Sequence, residues 1–308
     1  MKLHRRDVLG LAGGALLAGL APGLARGRQM QRLRLIEPQG KPSLIWGMFY
    51  LMQPGLQQLL NCEVGLQTIP GLNGYEALHA VLQSSDDDVG LFGAEIMATQ
   101  YAEKTDIRLE DMTPIAKLMN GFSVALFTTR SNGINSWAQL GAKRPITIST
   151  QGYITATYIA ALMMQHRSPV PVKLTIRQTV NDVIADVNYG ETMAGLLPTI
   201  LVARNQDQFQ PILTFGAEQS DMLNGFPAFA QVTGNPKLSF TESIGIFGSP
   251  RLSPDIAARL TNAFYLAGNN PDVQDQAEAD DVPLVVSRPD VLIGTMERNR
   301  RVLQRILG

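Results

Sequence analysis

One unit recurs along this chain and constrains its fold more than any other feature. A short β-prone run is followed by a polar or glycine-bearing turn, and then by apolar residues at helical spacing. The clearest copy spans Ile148 to Met164, ISTQGYITATYIAALMM. The run Pro145-Ile146-Thr147-Ile148 leads into a predicted turn at Thr150-Gln151-Gly152. A helix pattern opens near Thr155, with Ile159, Leu162 and Met163 at core spacing. A strand, a short turn and a helix leave free backbone N–H groups at the helix start. The peptide dipoles add about half a positive charge there, so such an end accepts anions. By itself the unit is also an ordinary βα connection.

The same alternation runs through the rest of the chain. Strands are expected at Arg32–Ile36, Glu63–Thr68, Val89–Phe92, Pro114–Leu118 and Phe122–Thr129. Helices are expected at Leu44–Leu60, Tyr75–Leu82, Ala94–Ala102 and, behind a serine cap, Ser136–Leu140. A second series begins with the opening stretch. It continues through strand Val172–Ile176, helix Asn181–Val187, strand Met193–Leu197, helix Thr199–Arg204 and strand Pro211–Phe215. Gly225–Lys237 is loop-rich. Strand Ile244–Gly248 and helices Pro254–Ala267, Asp272–Ala279 and Pro289–Leu307 close the chain, with Ser253-Pro254 as a helix start. Alternating strands and helices imply an α/β protein with parallel or mixed sheets covered on both faces. Two consecutive series imply two lobes, and the C-terminal helices are expected to return to the first. The chain then crosses twice, near Ala116–Leu126 and near Ser243–Ser249, as a hinge requires. Ligands of open α/β sheets bind beyond the carboxyl ends of the strands, so facing lobes share one cleft.

The N-terminus reads as an export signal over residues 1–25. Arg5-Arg6 precede an apolar run of 14 residues, Val8 to Ala21, too short to span a bilayer. The arginine pair with Leu9 is similar to a twin-arginine signal; a general secretory signal is the alternative. Gly23 and Ala25 offer a cleavage site, with Ala21 a second candidate. The expected home is the periplasm. Leaving out residues 1–25, with Lys2, Arg5, Arg6 and Asp7, takes the net charge from −1 to −3, which gives no nucleic-acid footprint. The single cysteine, Cys62, excludes an intrachain disulfide and reads as a small apolar residue. His79 and His166 stand alone, and Asp86-Asp87-Asp88 reads as a solvated turn. No metal and no cofactor is expected. Neither a nucleophile elbow nor a nucleotide-binding loop nor a zinc-protease motif occurs, so an enzyme is not expected.

Across Arg32 to Leu307 the chain resembles the substrate-binding receptors of tripartite tricarboxylate transporters, the Bug receptors. Leu109-Glu110-Asp111-Met112-Thr113-Pro114-Ile115-Ala116 is similar to the family's L-x-D-F-T-P-I-A. Ser136-Trp137-Ala138-Gln139-Leu140 is similar to its S-x-x-E-L turn, and Thr155-Ala156-Thr157-Tyr158-Ile159 to its T-x-T-H-L. Ser249-Pro250 to Leu260, Asn270-Pro271-Asp272-Val273 and Ser287-Arg288-Pro289 resemble its C-terminal helix starts. The order and spacing of these segments carry the resemblance. It implies a two-lobed periplasmic binding protein fold, type II-like, with two hinge crossings. Lobe one would comprise 32–120 and 245–308, and lobe two 121–244. It further implies a monomeric receptor that closes on a small organic carboxylate, held largely by backbone N–H groups, and passes it to a membrane permease. A sensor presenting the closed form to a signalling receptor is the alternative.

The chain also departs from the family. The paired glycines of the first loop are absent from Pro38-Gln39-Gly40-Lys41-Pro42-Ser43-Leu44-Ile45-Trp46, whereas Pro70-Gly71-Leu72-Asn73-Gly74 keeps the second loop pattern. Arg177-Gln178-Thr179 replaces Tyr-Lys-Gly, and Gly195 stands where the family often has aspartate. The candidate ligand contacts are Ser43 and Trp46 in lobe one and Thr150, Gln151, Gly152, Thr155, Gln178 and Thr199 in lobe two. Lys41 and Arg177 are candidates for a second carboxylate. Trp46 is equally suited to the core; in the cleft it would suit an apolar or aromatic ligand body. Arg298, Arg300, Arg301 and Arg305 read as the solvated face of the last helix, opposite Leu292, Met296, Leu303 and Ile306.

Overall fold

The computed structural model describes residues 30–38, 40, 43–71, 75–84, 88–93, 111–119, 123–152, 155–216, 221–223, 225–240 and 243–307. The expected export signal, Lys41, Asp86-Asp87 and the helix expected at 94–102 lie outside these residues. Among the described residues no helix is long and apolar enough to cross a membrane.

Two five-stranded mixed sheets share one plan. The first runs β2 (Glu63–Thr68), β1 (Arg32–Glu37), β3 (Asp88–Gly93), β10 (Ile244–Gly248), β4 (Thr113–Lys117). The second runs β7 (Val172–Arg177), β6 (Ile146–Gln151), β8 (Ala194–Pro198), β5 (Val124–Thr129), β9 (Phe209–Thr214). In each, the first three members pair in parallel and the fourth runs antiparallel to both of its neighbours. That fourth strand is the one that has just crossed from the other sheet. β10 returns to the first sheet, and β5 arrives in the second. Both are buried along their whole length, as strands covered by helices on both faces must be. The crossings fall between β4 and β5 and between β9 and β10. The two pass side by side, where the N–H of Leu118 donates to Ile244 O at 2.8 Å.

Local sequence explains where the helices begin and end. Ten are labelled here in chain order: α1 (Leu44–Leu60), α2 (Tyr75–Gln83), α3 (Trp137–Gly141), α4 (Ala156–Arg167), α5 (Val180–Asn188), α6 (Thr199–Arg204), α7 (Phe229–Val232), α8 (Pro254–Gly268), α9 (Pro271–Ala279) and α10 (Pro289–Leu307). Ser136, Thr155, Thr179, Ser253 and Asn270 each accept a backbone N–H of the following first turn, the standard N-cap. Proline stands in the first turn of α8 and α9, where its missing N–H costs nothing. Asn61 ends α1 in the left-handed conformation that asparagine tolerates.

Three observations differ from the sequence reading. Thr150 and Gln151 belong to β6, not to the turn. Their backbones pair with Ile176 and Arg177 of β7, and a parallel neighbour extends a strand as far as it has partners. In α4, every residue from Ala156 to Met164 is buried rather than one face alone. The second face of α4 is covered by α10. That helix is the third difference. α8 packs on α1 and β4, and α9 on α1 and α8, while α10 packs on both β4 and α4. Its Leu292, Met296, Val302, Leu303 and Ile306 share one apolar cluster with Ile159, Met163 and Leu196 of the second lobe. The apolar stripe was legible, but its length spans both lobes. Arg298, Arg301 and Arg305 lie exposed on the opposite face and Arg300 is half-buried. Cys62 is half-buried against the core of the first sheet.

Gly195 has a steric reason to be glycine. A Cβ there would lie 2.6 Å from the Phe127 ring. The space beside Gly195 is filled by an aromatic ring from the neighbouring strand.

Candidate binding cleft

A cavity of about 400 Å³ opens between the sheets and is lined from both. Ser43, Leu44, Gly47, Ile244 and Val282 contribute from the side of the first sheet. Gln151, Thr155, Thr157, Thr179, Asn181, Arg204 and Phe209 are among those from the second. Its size suits a small molecule. Three helices of nine residues or more direct their starts to it: α1 through Ser43 and Leu44, α4 through Thr155 and Thr157, and α5 through Thr179 and Asn181. Each start carries N–H groups without helical acceptors and the positive end of the dipole.

The three starts differ in what already occupies them. In α5, Thr179 and Asp182 form a reciprocal capping box. The Thr179 N–H and hydroxyl both donate to Asp182 Oδ2, at 3.1 and 2.8 Å, and the Asp182 N–H donates to the Thr179 hydroxyl at 3.2 Å. In α4, the Thr155 hydroxyl donates to Gly152 O at 2.8 Å and accepts from the Tyr158 N–H at 3.3 Å, with the Thr157 hydroxyl 2.8 Å away. In α1 the cap residue is Ser43, in extended backbone, and its side chain makes no cap hydrogen bond. Its Oγ is buried and finds no hydrogen-bond partner among the described residues. A buried hydroxyl without a partner is costly, about 1–3 kcal/mol, and Ser43 is one of the residues lining the cavity.

The loop that presents Ser43 is organised by a carboxylate. Glu37, fully buried at the end of β1, accepts from the Gly40 N–H through both oxygens at 3.0 Å and from the Trp46 indole N–H at 3.2 Å. The Thr68 hydroxyl donates to the same carboxylate. One buried carboxyl group thus ties the ends of β1 and β2 to the first turn of α1. Nothing in the sequence distinguishes this glutamate, because its partners come from three separate segments.

Of the residues singled out from sequence, Ser43, Gln151 and Thr155 stand together on the cavity wall. The other five lie around it. Trp46 is turned to Glu37 and stacks beside Tyr50, ring centroids 5.3 Å apart. Thr150 is fully buried and its hydroxyl donates to Gln151 O at 3.3 Å. Gly152 closes the turn through its carbonyl, which accepts from the Thr155 N–H at 3.3 Å. Gln178 supports the wall from behind: its carbonyl accepts from Gln151 Nε2 at 3.4 Å. Thr199 is buried, and its N–H and hydroxyl both donate to Ser123 O.

Arg177 has a partner of its own. It makes a two-pronged pair with Asp186, 2.8 Å at each contact, and the Ser149 hydroxyl donates to Asp186 at 2.6 Å. Burial pushes the Asp186 carboxyl up, but the hydrogen bonds from Arg177 and Ser149 and the guanidinium charge outweigh it and hold it below its ordinary value. The hydrogen bond and charge of Asp186 raise Arg177 in turn.

The sequence reading missed Arg204. It ends α6, lines the cavity, and reaches across to the loop after α9. There its guanidinium donates to the Asp281 carbonyl at 2.9 Å and meets the Asp281 carboxylate at 3.1 Å. Asp281 has φ 52°, a left-handed conformation. In sequence Arg204 reads only as a favourable cation at a helix end, and its partner lies 77 residues away.

Neither a family model nor a curated protein matches the sequence. Solved structures do match the fold. MatC from Rhodopseudomonas palustris with bound malate aligns at TM-score 0.76 and 14% identity, over 90% of this chain and 99% of that one. A second R. palustris protein, with adipate, aligns at TM-score 0.75 and 12% identity, over 90% and 97%. The periplasmic binding protein BugD aligns at TM-score 0.74 and 10% identity, over 90% and 95%. At such identities the likeness speaks for architecture: the chain has the two-lobed α/β fold of these solute-binding proteins, with two crossings and a cleft between the lobes.

Proposed function

We propose that this protein is a periplasmic receptor for a small organic carboxylate. Lobe one, 32–120 with 245–308, and lobe two, 121–244, hold the ligand between them and perform no chemistry on it. The protein is exported by its twin-arginine-like signal, acts as a monomer and delivers the ligand to the membrane permease of a tripartite tricarboxylate-type transporter. The observation that carries the reading is the start of α1. A helix of 17 residues ends its N-terminus on the cavity, and its Ser43 hydroxyl is buried without a hydrogen-bond partner among the described residues; a carboxylate supplies the acceptor that hydroxyl and N–H groups require. The malate and adipate in the two R. palustris structures are carboxylates, and the cleft is of a size for such molecules. The export signal and the resemblance to Bug receptors support the placement and the permease.

A thermal-shift panel on the protein lacking residues 1–25 tests this. Mono-, di- and tricarboxylates, aliphatic and aromatic, are compared with neutral amides of the same shape. A ligand at 100 times its dissociation constant adds about 2.7 kcal/mol of stability. A panel in which amides shift the melt as well as acids, or in which no acid does, removes the proposal.

A further inference from the structure

Resting on the reading of the cleft as a carboxylate site, we propose that it selects monocarboxylates with an apolar body. Asp281 sets this choice by neutralising Arg204. Among the described lining residues Arg204 carries the only formal charge, so it is the natural counter-ion for a second carboxylate. Asp281 already engages it, with carbonyl and carboxylate together. A diacid must either displace Asp281 or bring its second charge against the rest of the wall. That wall includes Leu44, Ile184, Leu201, Phe209, Ile244 and Val282. Leu44, Ile184, Leu201 and Val282 are only half-buried, so apolar surface is left facing the cavity, and an alkyl or aryl body would cover it. The far charge of a diacid would itself be desolvated against that wall without a partner, and would face the Asp281 carboxylate besides. Discrimination by an unpaired charge is a device against the wrong ligand. The near carboxylate goes to the Ser43 end, where the hydroxyl lacks a partner; the tail runs toward α6.

Calorimetry on the protein lacking residues 1–25 tests this with straight-chain acids from butanoate to octanoate, each matched by the diacid of equal length, succinate to suberate. The monoacid at the best length binds tighter than its diacid by about tenfold or more. Asp281→Asn keeps a side chain that tolerates the left-handed backbone and leaves the Arg204 bond to the carbonyl, but frees the guanidinium charge. It narrows the gap by about fivefold, through a gain in diacid affinity. A diacid that binds the wild type as well as its monoacid, or an unchanged gap in folded Asp281→Asn, overturns the proposal and leaves the carboxylate site standing. If neither series binds at any length, the carboxylate reading falls and this one with it.

Discussion

The starts of α1 and α4 face the same cavity from opposite sheets and follow the same strand–turn–helix plan, yet they are in different states. At α4, Thr155 both caps the first turn and closes the turn behind it, so its hydroxyl is fully used. At α1, Ser43 is placed as a cap but makes no cap hydrogen bond, and its oxygen is buried without a partner among the described residues. A helix end that binds a ligand must leave polar groups unspent, and an end that only positions a wall does best to spend them. On the proposed function the pair divides the work: the second lobe supplies a finished surface, and the first supplies the groups that a ligand would complete. Glu37 is what permits this, because it holds the α1 loop in place without using Ser43.

The strongest way to break this division is to remove the anchor of the first side. Glu37→Ala strips one buried acceptor from the Gly40 N–H, the Trp46 indole and the Thr68 hydroxyl at once. It is expected to lower stability by about 3 kcal/mol, read from urea melts, and to abolish ligand-induced shifts even where the protein still folds. A neutral result would mean that the loop is held by something other than that carboxylate. Next in size is a matched pair of cap variants. Thr155→Ala loses a working N-cap and costs about 1 kcal/mol of stability, with a small change in affinity. Ser43→Ala has no internal bond to lose and removes an unsatisfied buried group, so it melts at or above the wild type, but it weakens carboxylate binding by about tenfold or more, the worth of one hydrogen bond to a charged group. If the two variants exchange these signatures, the division of labour is reversed. The smallest effect concerns the second lobe alone. Asp186 is held below its ordinary value, so its pair with Arg177 and Ser149 stabilises the fold above the ordinary aspartate range. That contribution is lost as pH falls through the folded value. Asp186→Asn should flatten the acid limb of a stability–pH profile and leave stability at the lowest pH nearly unchanged. Because Arg177 is 42% exposed, solvent and salt screen the effect. A parallel downward shift at all pH values would assign Asp186 a packing role instead.

Much of the architecture was legible because it is written in local periods. The 3.6-residue spacing placed the helices at Leu44–Leu60, Thr199–Arg204 and Pro289–Leu307 where the structure has them. The alternation of short strands and helices pointed to α/β lobes, and the first crossing was expected near Ala116–Leu126, where the chain passes from β4 to β5. Of the candidate contacts, Ser43, Gln151 and Thr155 line one cavity, Ser43 from the first sheet and the other two from the second.

Other features depended on partners that no local pattern names. Whether a serine or threonine before a helix spends its hydroxyl depends on the exact path of the preceding loop. Ser43 and Thr155 look alike in sequence and differ in the fold. Thr150 and Gln151 joined a strand because β7 runs beside them. The α10 stripe covered both lobes because α4 lies within its reach. Arg204 met Asp281, and Glu37 met Thr68, across 77 and 31 residues of chain. The sequence by itself determined the elements, their order and the class of fold, since these follow from propensity and hydrophobic period over a few residues. Only the tertiary structure decided which polar groups are spent and which are left unspent, because hydrogen bonds and ion pairs act over a few ångströms and folding alone brings distant residues that close.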